Sequence, residues 1–262
     1  MDVIVYRTRE MTQSVAKEVG RLRSELPDYA LVIVAYRPDY TEADSDPENG
    51  LFCYGWQDLA ELPYPGQLKN IDFRKPTGRH DLPVLKFYRE HPNFDRYWVI
   101  EDDVRWTGPW RTFADELQSS DAALLATTVQ TRAENPDWHW WNTMGTAGEP
   151  MPELVKCFGP FLRASAACVA LVNEKYTKGW HGHFEVAWPT ICCDGGLKVE
   201  DIGGSGSFTP RRWRDRFYRN DPDAWNLAPG TFIWRPTYHE ADFKDFIGQF
   251  AERPYLWHPV KG

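Results

Sequence analysis

The chain has 262 residues and a formal net charge of −8 at neutral pH, a length that suits one ordinary α/β domain. Its basic residues are scattered along the chain, so we expect a small charged ligand and no nucleic-acid partner. No apolar stretch approaches the roughly 20 residues that cross a bilayer, and no signal peptide is visible, which predicts a cytoplasmic protein whose membrane association would be peripheral at most.

The first 36 residues predict a strand, a helix and a second strand. Residues 3–6 are strand-like, residues 12–26 place apolar side chains at helical spacing, and residues 30–36 form a continuous apolar run. Continuous apolar runs of strand length are typical of strands buried on both faces of a parallel sheet. The pattern therefore predicts a right-handed βαβ unit.

Residues 37–77 are rich in Asp, Pro, Gly and Tyr and predict mostly loop, with a short helix at 56–62. A helix is predicted next, and a second strand-helix-strand unit follows it. These elements are predicted at 81–90 (helix), 97–100 (strand), 110–118 (helix) and 122–128 (strand). The first half therefore predicts an α/β fold with an open, mostly parallel, doubly wound sheet and helices on both faces.

The second half of the chain is less regular, and we expect it to belong to the same single domain, residues 1–262. Its predicted elements are a loop at 131–156, a helix turning into a strand at 161–172, a helix at 183–193 despite Pro189, a short strand at 199–202, a mobile loop at 203–226 and a final strand at 231–235.

Cysteine and tryptophan usage adds two constraints. The five cysteines show no Cys-x-x-Cys spacing, which favours reduced buried thiols over a disulfide framework or a zinc site. The 13 tryptophans are unusual, because an indole face stacks on sugar rings and nucleobases. Tryptophan also fills cores, so this composition favours a carbohydrate ligand without requiring one.

Three consecutive acids, Glu101, Asp102 and Asp103, follow the predicted strand at 97–100. In open α/β sheets, ligands bind outside the carboxyl ends of the strands, where these acids lie. Adjacent carboxylates repel one another, and a Mg²⁺ or Mn²⁺ ion held by two of them relieves that repulsion and bridges to phosphate oxygens. A solvated acidic turn is the alternative, but the buried strand before the acids favours a metal site.

The βαβ start, the strand that runs into a D-x-D-like motif and a later acid at a helix start resemble the GT-A nucleotide-diphospho-sugar transferases, particularly bacterial members similar to family 2. The resemblance follows the order of elements over most of the chain, but only the acidic motif is specific. In that family the D-x-D acids bind a metal that bridges the donor diphosphate. The resemblance implies Asp103 and Glu101 as metal ligands and Asp102 near the donor sugar or ribose. Because Glu101 replaces the usual first Asp, the choice between Glu101 and Asp102 as second ligand stays open.

Glu185 lies in the first turn of the helix predicted at 183–193, where the helix dipole favours an acid. Its position resembles that of the catalytic base in inverting GT-A enzymes, which takes the proton of the acceptor hydroxyl as that oxygen attacks the anomeric carbon. An ordinary charge at a helix N-terminus is the alternative. Glu200 and Asp201, before a Gly-rich turn, are reserve candidates for the base.

His258 lies in an apolar tail between Trp257 and Pro259. Some GT-A enzymes close the site with a C-terminal histidine that joins the metal, and imidazole is an acceptable third ligand. The resemblance therefore implies His258 as a metal ligand. An exposed tail histidine is the alternative.

Arg7 and Thr8 follow the first strand, where GT-A enzymes receive the nucleotide, and Arg74 and Lys75 precede the next helix. Guanidinium groups match phosphate oxygens, so we expect these residues to contact the donor. The arginine-rich segment 211–219 fits either a diphosphate clamp or a solvated surface.

The resemblance implies a metal-dependent glycosyltransferase, with inversion favoured, that moves a sugar from a nucleotide-diphosphate donor to an acceptor hydroxyl in bacterial polysaccharide or glycoconjugate synthesis. It assigns the donor to residues 1–130 and the acceptor to 131–262, where Trp138, Trp140 and Trp141 would form a platform. A sugar nucleotidyltransferase and a non-catalytic carbohydrate-binding protein are the alternatives. No P-loop or Rossmann glycine motif is present.

Overall fold

A computed structural model of the chain describes residues 1–39, 41, 44–46, 49–69, 79–220, 230–248 and 253–262. Its strands are β1 (Asp2–Thr8), β2 (Ala30–Tyr36), β3 (Leu51–Tyr54), β4 (Arg96–Glu101), β5 (Arg105–Trp106), β6 (Leu124–Thr131), β7 (Val155–Ser165), β8 (Val199–Asp201), β9 (Tyr238–His239), β10 (Leu256–Trp257) and β11 (Val260–Lys261). Its α-helices are α1 (Gln13–Glu25), α2 (Trp56–Ala60), α3 (Pro65–Leu68), α4 (Leu82–Glu90), α5 (Trp110–Gln118), α6 (Ala166–Thr177), α7 (Phe184–Asp194) and α8 (Glu240–Ile247).

A seven-stranded sheet with the order β3-β2-β1-β4-β7-β6-β8 lies at the centre of the fold. Strand β7 runs antiparallel to β4 and β6, and the other neighbouring pairs are parallel. The predicted α/β fold with a mostly parallel sheet is therefore confirmed. Arg7 of β1 is in register with Glu101 of β4, so both strands end at the same edge of the sheet.

Helices cover both faces of this sheet, as the apolar strand pattern predicts. Alternate residues of β1 join different cores: Val3 and Val5 pack in a cluster with residues of α4, α6 and α7, whereas Ile4 and Tyr6 pack in a second cluster with residues of α1 and α5. Successive side chains of a strand point to opposite faces, so a strand covered on both sides is apolar throughout.

Side chains that accept backbone N–H bonds set the starts of three helices. Thr12 accepts from the N–H of Val15 at the start of α1, and Ser165 accepts from the N–H of Cys168 at the start of α6. At α7, Nδ1 of His183 accepts from the N–H of Glu185. Each cap satisfies a donor that has no partner within the helix itself.

Several predicted elements are wrong. Residues 161–172 contain the end of a strand followed by a helix, the reverse of the predicted order, because Ser165 caps α6. Strand β3 was not predicted within 37–77. The final strand predicted at 231–235 forms only an isolated bridge between Phe232 and His258.

The described part of the predicted mobile loop at 203–226 carries a 3-10 helix, Arg211–Trp213. Trp213, Phe217 and Tyr218 are buried there and pack into the core. Residues 203–220 are therefore mostly loop, as predicted, but this loop packs against the core. Within the described chain, no helix has the length and apolar character needed to cross a membrane.

Candidate active site

The structure brings four of the predicted site residues together where β1 and β4 end. Nη1 of Arg7 donates to Oε1 of Glu101 at 2.8 Å, and Oγ1 of Thr8 donates to Oδ2 of Asp102 at 2.6 Å. These contacts leave Asp103, the next residue, to face the C-terminal segment. The N–H of Val260 in that segment donates to the backbone oxygen of Asp103 at 2.8 Å.

Glu101, Asp103 and His258 form a cluster in which one ligand atom from each lies within 4.8 Å of the others. Nε2 of His258 lies 3.3 Å from Oδ1 of Asp103, and Nδ1 of the same ring contacts the carbonyl oxygen of Ile233 at 2.8 Å. Oδ1 of Asp103 is buried and has no hydrogen-bond partner among the described residues. Two carboxylates and an imidazole at these separations fit a Mn²⁺ or Mg²⁺ ion.

Opposing effects set the charges of the acidic cluster. Burial favours the neutral acid at Glu101, but the Arg7 guanidinium and the His80 ring outweigh it and hold the pKa of Glu101 well below its usual range. Burial, with the charges of Asp103 and Glu101, raises the pKa of Asp102. Glu101 therefore carries a negative charge, whereas its surroundings disfavour ionisation of Asp102.

A cleft of about 910 Å³ opens at this edge of the sheet, and we call it the main cleft. Arg7, Thr8, Glu101, Asp102 and Asp103 line it. Its other basic lining residues are Arg9, Arg37, Arg79, Arg105 and Lys261, and its aromatic lining residues are Tyr36, Tyr54 and Trp56. Positive side chains beside a metal-type cluster suit a phosphorylated ligand.

His80 also lines the main cleft, and sequence reasoning missed it. Its Nδ1 lies 3.5 Å from Oε1 of Glu101. Its ring begins a stack of four rings that continues through Phe184 and His183 to Trp140, with centroid separations of 5.8, 5.3 and 4.8 Å. The sequence signal for His80 is weak, because only the tertiary stack distinguishes it from any polar residue before a helix.

Glu185 lies in the first turn of α7, beside the ring stack. Its Oε1 accepts the N–H of Gly159 at 2.9 Å, and its Oε2 lies 3.7 Å from Nδ1 of His183. A Cβ at residue 159 would lie 2.2 Å from Cε2 of Phe184, so only glycine permits this approach of β7 to α7. Burial raises the pKa of Glu185 to about 7, although the Gly159 bond and Lys156 oppose the rise.

The His183 ring beside Glu185 is uncharged. Burial and the neighbouring positive charges lower the pKa of His183 to about 3, which keeps this ring neutral. Glu185 does not belong to the lining of the main cleft, whereas His80, which contacts Glu101 and stacks on Phe184 of α7, does. A carboxyl group with a pKa near neutrality can act as a proton acceptor at physiological pH.

The reserve candidates have structural partners. Glu200 accepts from Oγ of Ser120 at 2.6 Å and pairs with Lys198 at 2.8 Å. Asp201 is fully buried and accepts from Tyr218 and from the backbone N–H groups of Val129, Gly203 and Gly204. The contacts of Asp201 attach the Gly-rich turn to β6. Neither Glu200 nor Asp201 lines the main cleft.

The three predicted platform tryptophans differ in exposure. Trp138 and Trp140 are half-buried and contact the ring of His183 at centroid separations of 5.9 and 4.8 Å. We call Trp138, Trp140 and His183 the acceptor wall, after the role predicted for the two tryptophans. Trp141 is only 2% exposed, and its indole N–H donates to the carbonyl oxygen of Asn135, so it packs in the core and has no face for a sugar.

The remaining predicted donor contacts are Arg74, Lys75 and the arginines of segment 211–219. Arg74 and Lys75 lie outside the described residues. In segment 211–219, Arg216 pairs with Glu116, and Arg212 lies over the ring of Trp213 at 4.4 Å. None of the arginines of this segment lines the main cleft, which favours the interpretation as surface and disfavours the diphosphate clamp.

No family model and no curated protein sequence matches the chain. Solved structures do. A galactosyltransferase, LgtC, in complex with donor and acceptor sugar analogues matches with a TM-score of 0.43 and 10% identity over 98% of this chain and 87% of that chain. Mouse xyloside xylosyltransferase 1 matches with a TM-score of 0.38 and 11% identity over 77% and 84% of the two chains.

A Bacillus anthracis protein described as a glucose-1-phosphate thymidylyltransferase, in complex with sucrose, matches with a TM-score of 0.40 and 10% identity over 78% and 87% of the two chains. The predicted resemblance to nucleotide-sugar transferases agrees with these matches. Every one of these TM-scores lies below 0.5, however, so the function proposed below rests on the residues of this chain alone.

Proposed function

We propose that this protein is a metal-dependent glycosyltransferase that moves a sugar from a nucleotide-diphosphate donor to an acceptor hydroxyl. The observation that carries the proposal is the cluster of Glu101, Asp103 and His258, whose ligand atoms lie within 4.8 Å of one another at the edge of a cleft with several basic side chains. Two carboxylates held close together repel each other, and a bound cation relieves that repulsion. Bacterial glycoconjugate synthesis in the cytoplasm remains the expected setting.

Glu101, Asp103 and His258 would hold the metal, and their two oxygens and one nitrogen suit Mn²⁺ or Mg²⁺. When bound, such an ion supplies positive charge that stabilises a departing diphosphate. The carbonyl oxygen of Ile233 fixes the His258 ring so that Nε2 faces Asp103. A second partner of this kind orients a histidine for metal binding.

Different side chains of the main cleft would bind different parts of the donor. Arg7 and Thr8 lie at the acidic edge, where they would bind phosphate oxygens. Tyr36 and Tyr54, whose ring centroids lie 5.6 Å apart, offer flat faces for a nucleobase. The cleft would thus hold the nucleotide, and the acceptor wall would bind the second sugar.

Glu185 would act as the general base. Its carboxylate takes the proton of the acceptor hydroxyl, the acceptor oxygen bonds to the anomeric carbon, and the bond from that carbon to the diphosphate oxygen breaks, so the diphosphate leaves with the electron pair. This single displacement inverts the anomeric centre. The pKa of about 7 suits the role, because the group is largely ionised just above neutrality and still basic.

Turnover of a panel of nucleotide sugars with Mn²⁺ tests the proposal. We expect release of a nucleoside diphosphate, with loss of release in Asp103→Asn and loss of about 100-fold or more in Glu185→Gln. The matched control is Asp115→Asn, which removes an exposed carboxylate of α5. Pyrophosphate release would favour the nucleotidyltransferase, and glycan binding without any nucleotide turnover would favour the carbohydrate-binding protein.

A further inference from the structure

Lys156 of β7 is a buried ammonium group that the proposed chemistry does not use. The residue is only 5% exposed. Its Nζ donates to the backbone oxygen of Thr128 at 3.4 Å and lies 5.5 Å from the ring centroid of Trp138, in the acceptor wall. An ammonium group has three N–H donors, and within the described chain only one of them has a hydrogen-bond acceptor.

Lys156 has no ion pair with any carboxylate of the described residues, whereas other lysines of the chain do. Burial lowers the pKa of Lys156, and the charge of Glu185 on the facing helix α7 opposes that effect. A buried charge without a counter-charge is costly. The position of Lys156 therefore needs an explanation beyond packing.

The backbone around Lys156 is held in an unusual conformation. Thr128 has a φ of +51°, which is rare for a β-branched residue. Its N–H donates to the hydroxyl of Tyr218 at 2.8 Å, and its hydroxyl accepts from Asn220 at 2.9 Å. These bonds fix the carbonyl oxygen that accepts from Lys156, so one hydrogen bond and the ring of Trp138 position the ammonium.

The neighbours of Lys156 belong to the proposed acceptor side. Trp138 contacts His183, and His183 contacts Glu185. When Glu185 takes the acceptor proton it becomes neutral, and Lys156 loses the nearest opposite charge on the facing helix. A neutral acceptor would leave the buried ammonium with less compensation, whereas an anionic acceptor would replace the charge lost at Glu185.

We propose that Lys156 and Trp138 form a subsite for an acceptor sugar that carries an anionic oxygen group, a carboxylate or a phosphate. This inference rests on the proposed function, since it names the class of acceptor that the acceptor wall takes. Trp138 contributes a face for the sugar ring, and Lys156 pairs with the anionic group. The same cation distinguishes charged sugars from neutral ones.

Binding of simple glycosides tests the subsite without any turnover. The probes are methyl glucuronide, methyl glucoside and glucose phosphate, measured by saturation-transfer NMR and calorimetry with and without each nucleoside diphosphate plus Mg²⁺. Inorganic phosphate serves as an anion without a sugar ring. The variants are Lys156→Met, Trp138→Ala and, as a matched control, Lys178→Met, which changes an exposed lysine paired with Glu174.

We expect wild type and Lys178→Met to bind the charged glycosides about ten-fold or more tightly than methyl glucoside, the effect of one hydrogen-bonded charge. Lys156→Met should bind all glycosides alike. Trp138→Ala should bind all of them more weakly while it keeps the preference, so the inference can be tested even if Lys156→Met does not fold.

Three results would overturn the inference: equal binding of charged and neutral glycosides by the wild type, a preference that survives in Lys156→Met, or no binding of any glycoside up to the solubility limit. Inorganic phosphate that competes as well as the glucuronide would show an ion site without a sugar subsite and would also overturn it. Nucleotide binding in the same samples shows independently whether the proposed transferase function fails.

Discussion

His258 and Asp103 lie far apart in sequence, yet Nε2 of the first is 3.3 Å from Oδ1 of the second. The C-terminal segment makes this approach possible through three sets of contacts: β10 pairs with β5, β11 pairs with β9, and the N–H of Val260 donates to the backbone oxygen of Asp103. The proposed metal site therefore depends on a segment at the opposite end of the chain from β1.

Replacement of His258 by Ala should weaken Mn²⁺ binding by at least about 10-fold, because one of three ligands is lost. Calorimetric titration of Mn²⁺ into the protein measures the effect. The control is His239→Ala, since His239 is exposed and lies outside the cluster. Equal Mn²⁺ affinity of wild type and His258→Ala would remove His258 from the metal site.

Replacement of Glu185 by Gln should change stability in a pH-dependent way. The pKa of Glu185 rises from 4.5 to about 7 on folding. Below the lower value the carboxyl is protonated in both the folded and the unfolded state, and no penalty arises. Above the higher value the folded state holds a buried charge. Converted at the free energy per pKa unit, this shift lowers the free energy of unfolding of the wild type by up to about 3 kcal/mol. The neutral Gln avoids that loss.

Glu185→Gln should therefore gain stability relative to wild type as pH rises from about 4.5 to about 7. Urea unfolding of both proteins at acidic, neutral and mildly alkaline pH measures the difference. The exposed Glu61→Gln serves as the control for changes in overall charge. A stability difference that stays constant across this range would show that the carboxyl of Glu185 is not destabilised by burial.

Trp140 and Trp141 form a matched pair, adjacent in sequence but different in burial. Trp141→Ala should destabilise the fold by about 3–5 kcal/mol, because it removes a buried indole. Trp140→Ala should cost about 1–2 kcal/mol, because it removes a partly exposed ring stacked on His183. Glycoside binding should fall in Trp140→Ala, and denaturation with NMR binding measurements on both variants checks the contrast. Equal losses of stability with unchanged binding would contradict the acceptor wall.

Asp201 should be essential for stability and not for chemistry. Asp201→Ala leaves the N–H groups of Val129, Gly203 and Gly204 without their acceptor, so we expect a loss of at least about 3 kcal/mol in the free energy of unfolding. Asp121→Ala, which removes an exposed carboxylate, is the control. A stable Asp201→Ala variant without turnover would instead return Asp201 to the list of candidate bases.

The sequence predicted the parallel half of the fold well for a physical reason. Strand β2 and helix α5 have the predicted bounds, because a continuous apolar run and a clear helical spacing both depend on local residue order. Strand β3 has only four residues and lies in a Pro- and Asp-rich region, so its strand character comes from pairing with β2. Such short strands carry no periodic signal.

Errors in the second half have the same origin. Residues from β7 into α6 are mostly apolar without a clear change of period, and the cap at Ser165 separates strand from helix. Gly159 marks the place where Phe184 approaches the strand, which no local pattern reveals. The acids at 101–103 were recognisable because they follow a buried strand, whereas His80 and Lys156 gain their significance only from tertiary contacts.

Calorimetric titration with UDP, GDP, CDP and dTDP, each with and without Mn²⁺, tests the central claim most directly. The proteins are wild type, Asp103→Asn and Asp115→Asn. We predict that one nucleotide binds the wild type and Asp115→Asn only when Mn²⁺ is present, and that Asp103→Asn loses this dependence together with most of the affinity. Nucleotide binding that is equal with and without Mn²⁺, or unchanged in Asp103→Asn, would contradict the assignment of Asp103 to a metal-bridged donor site.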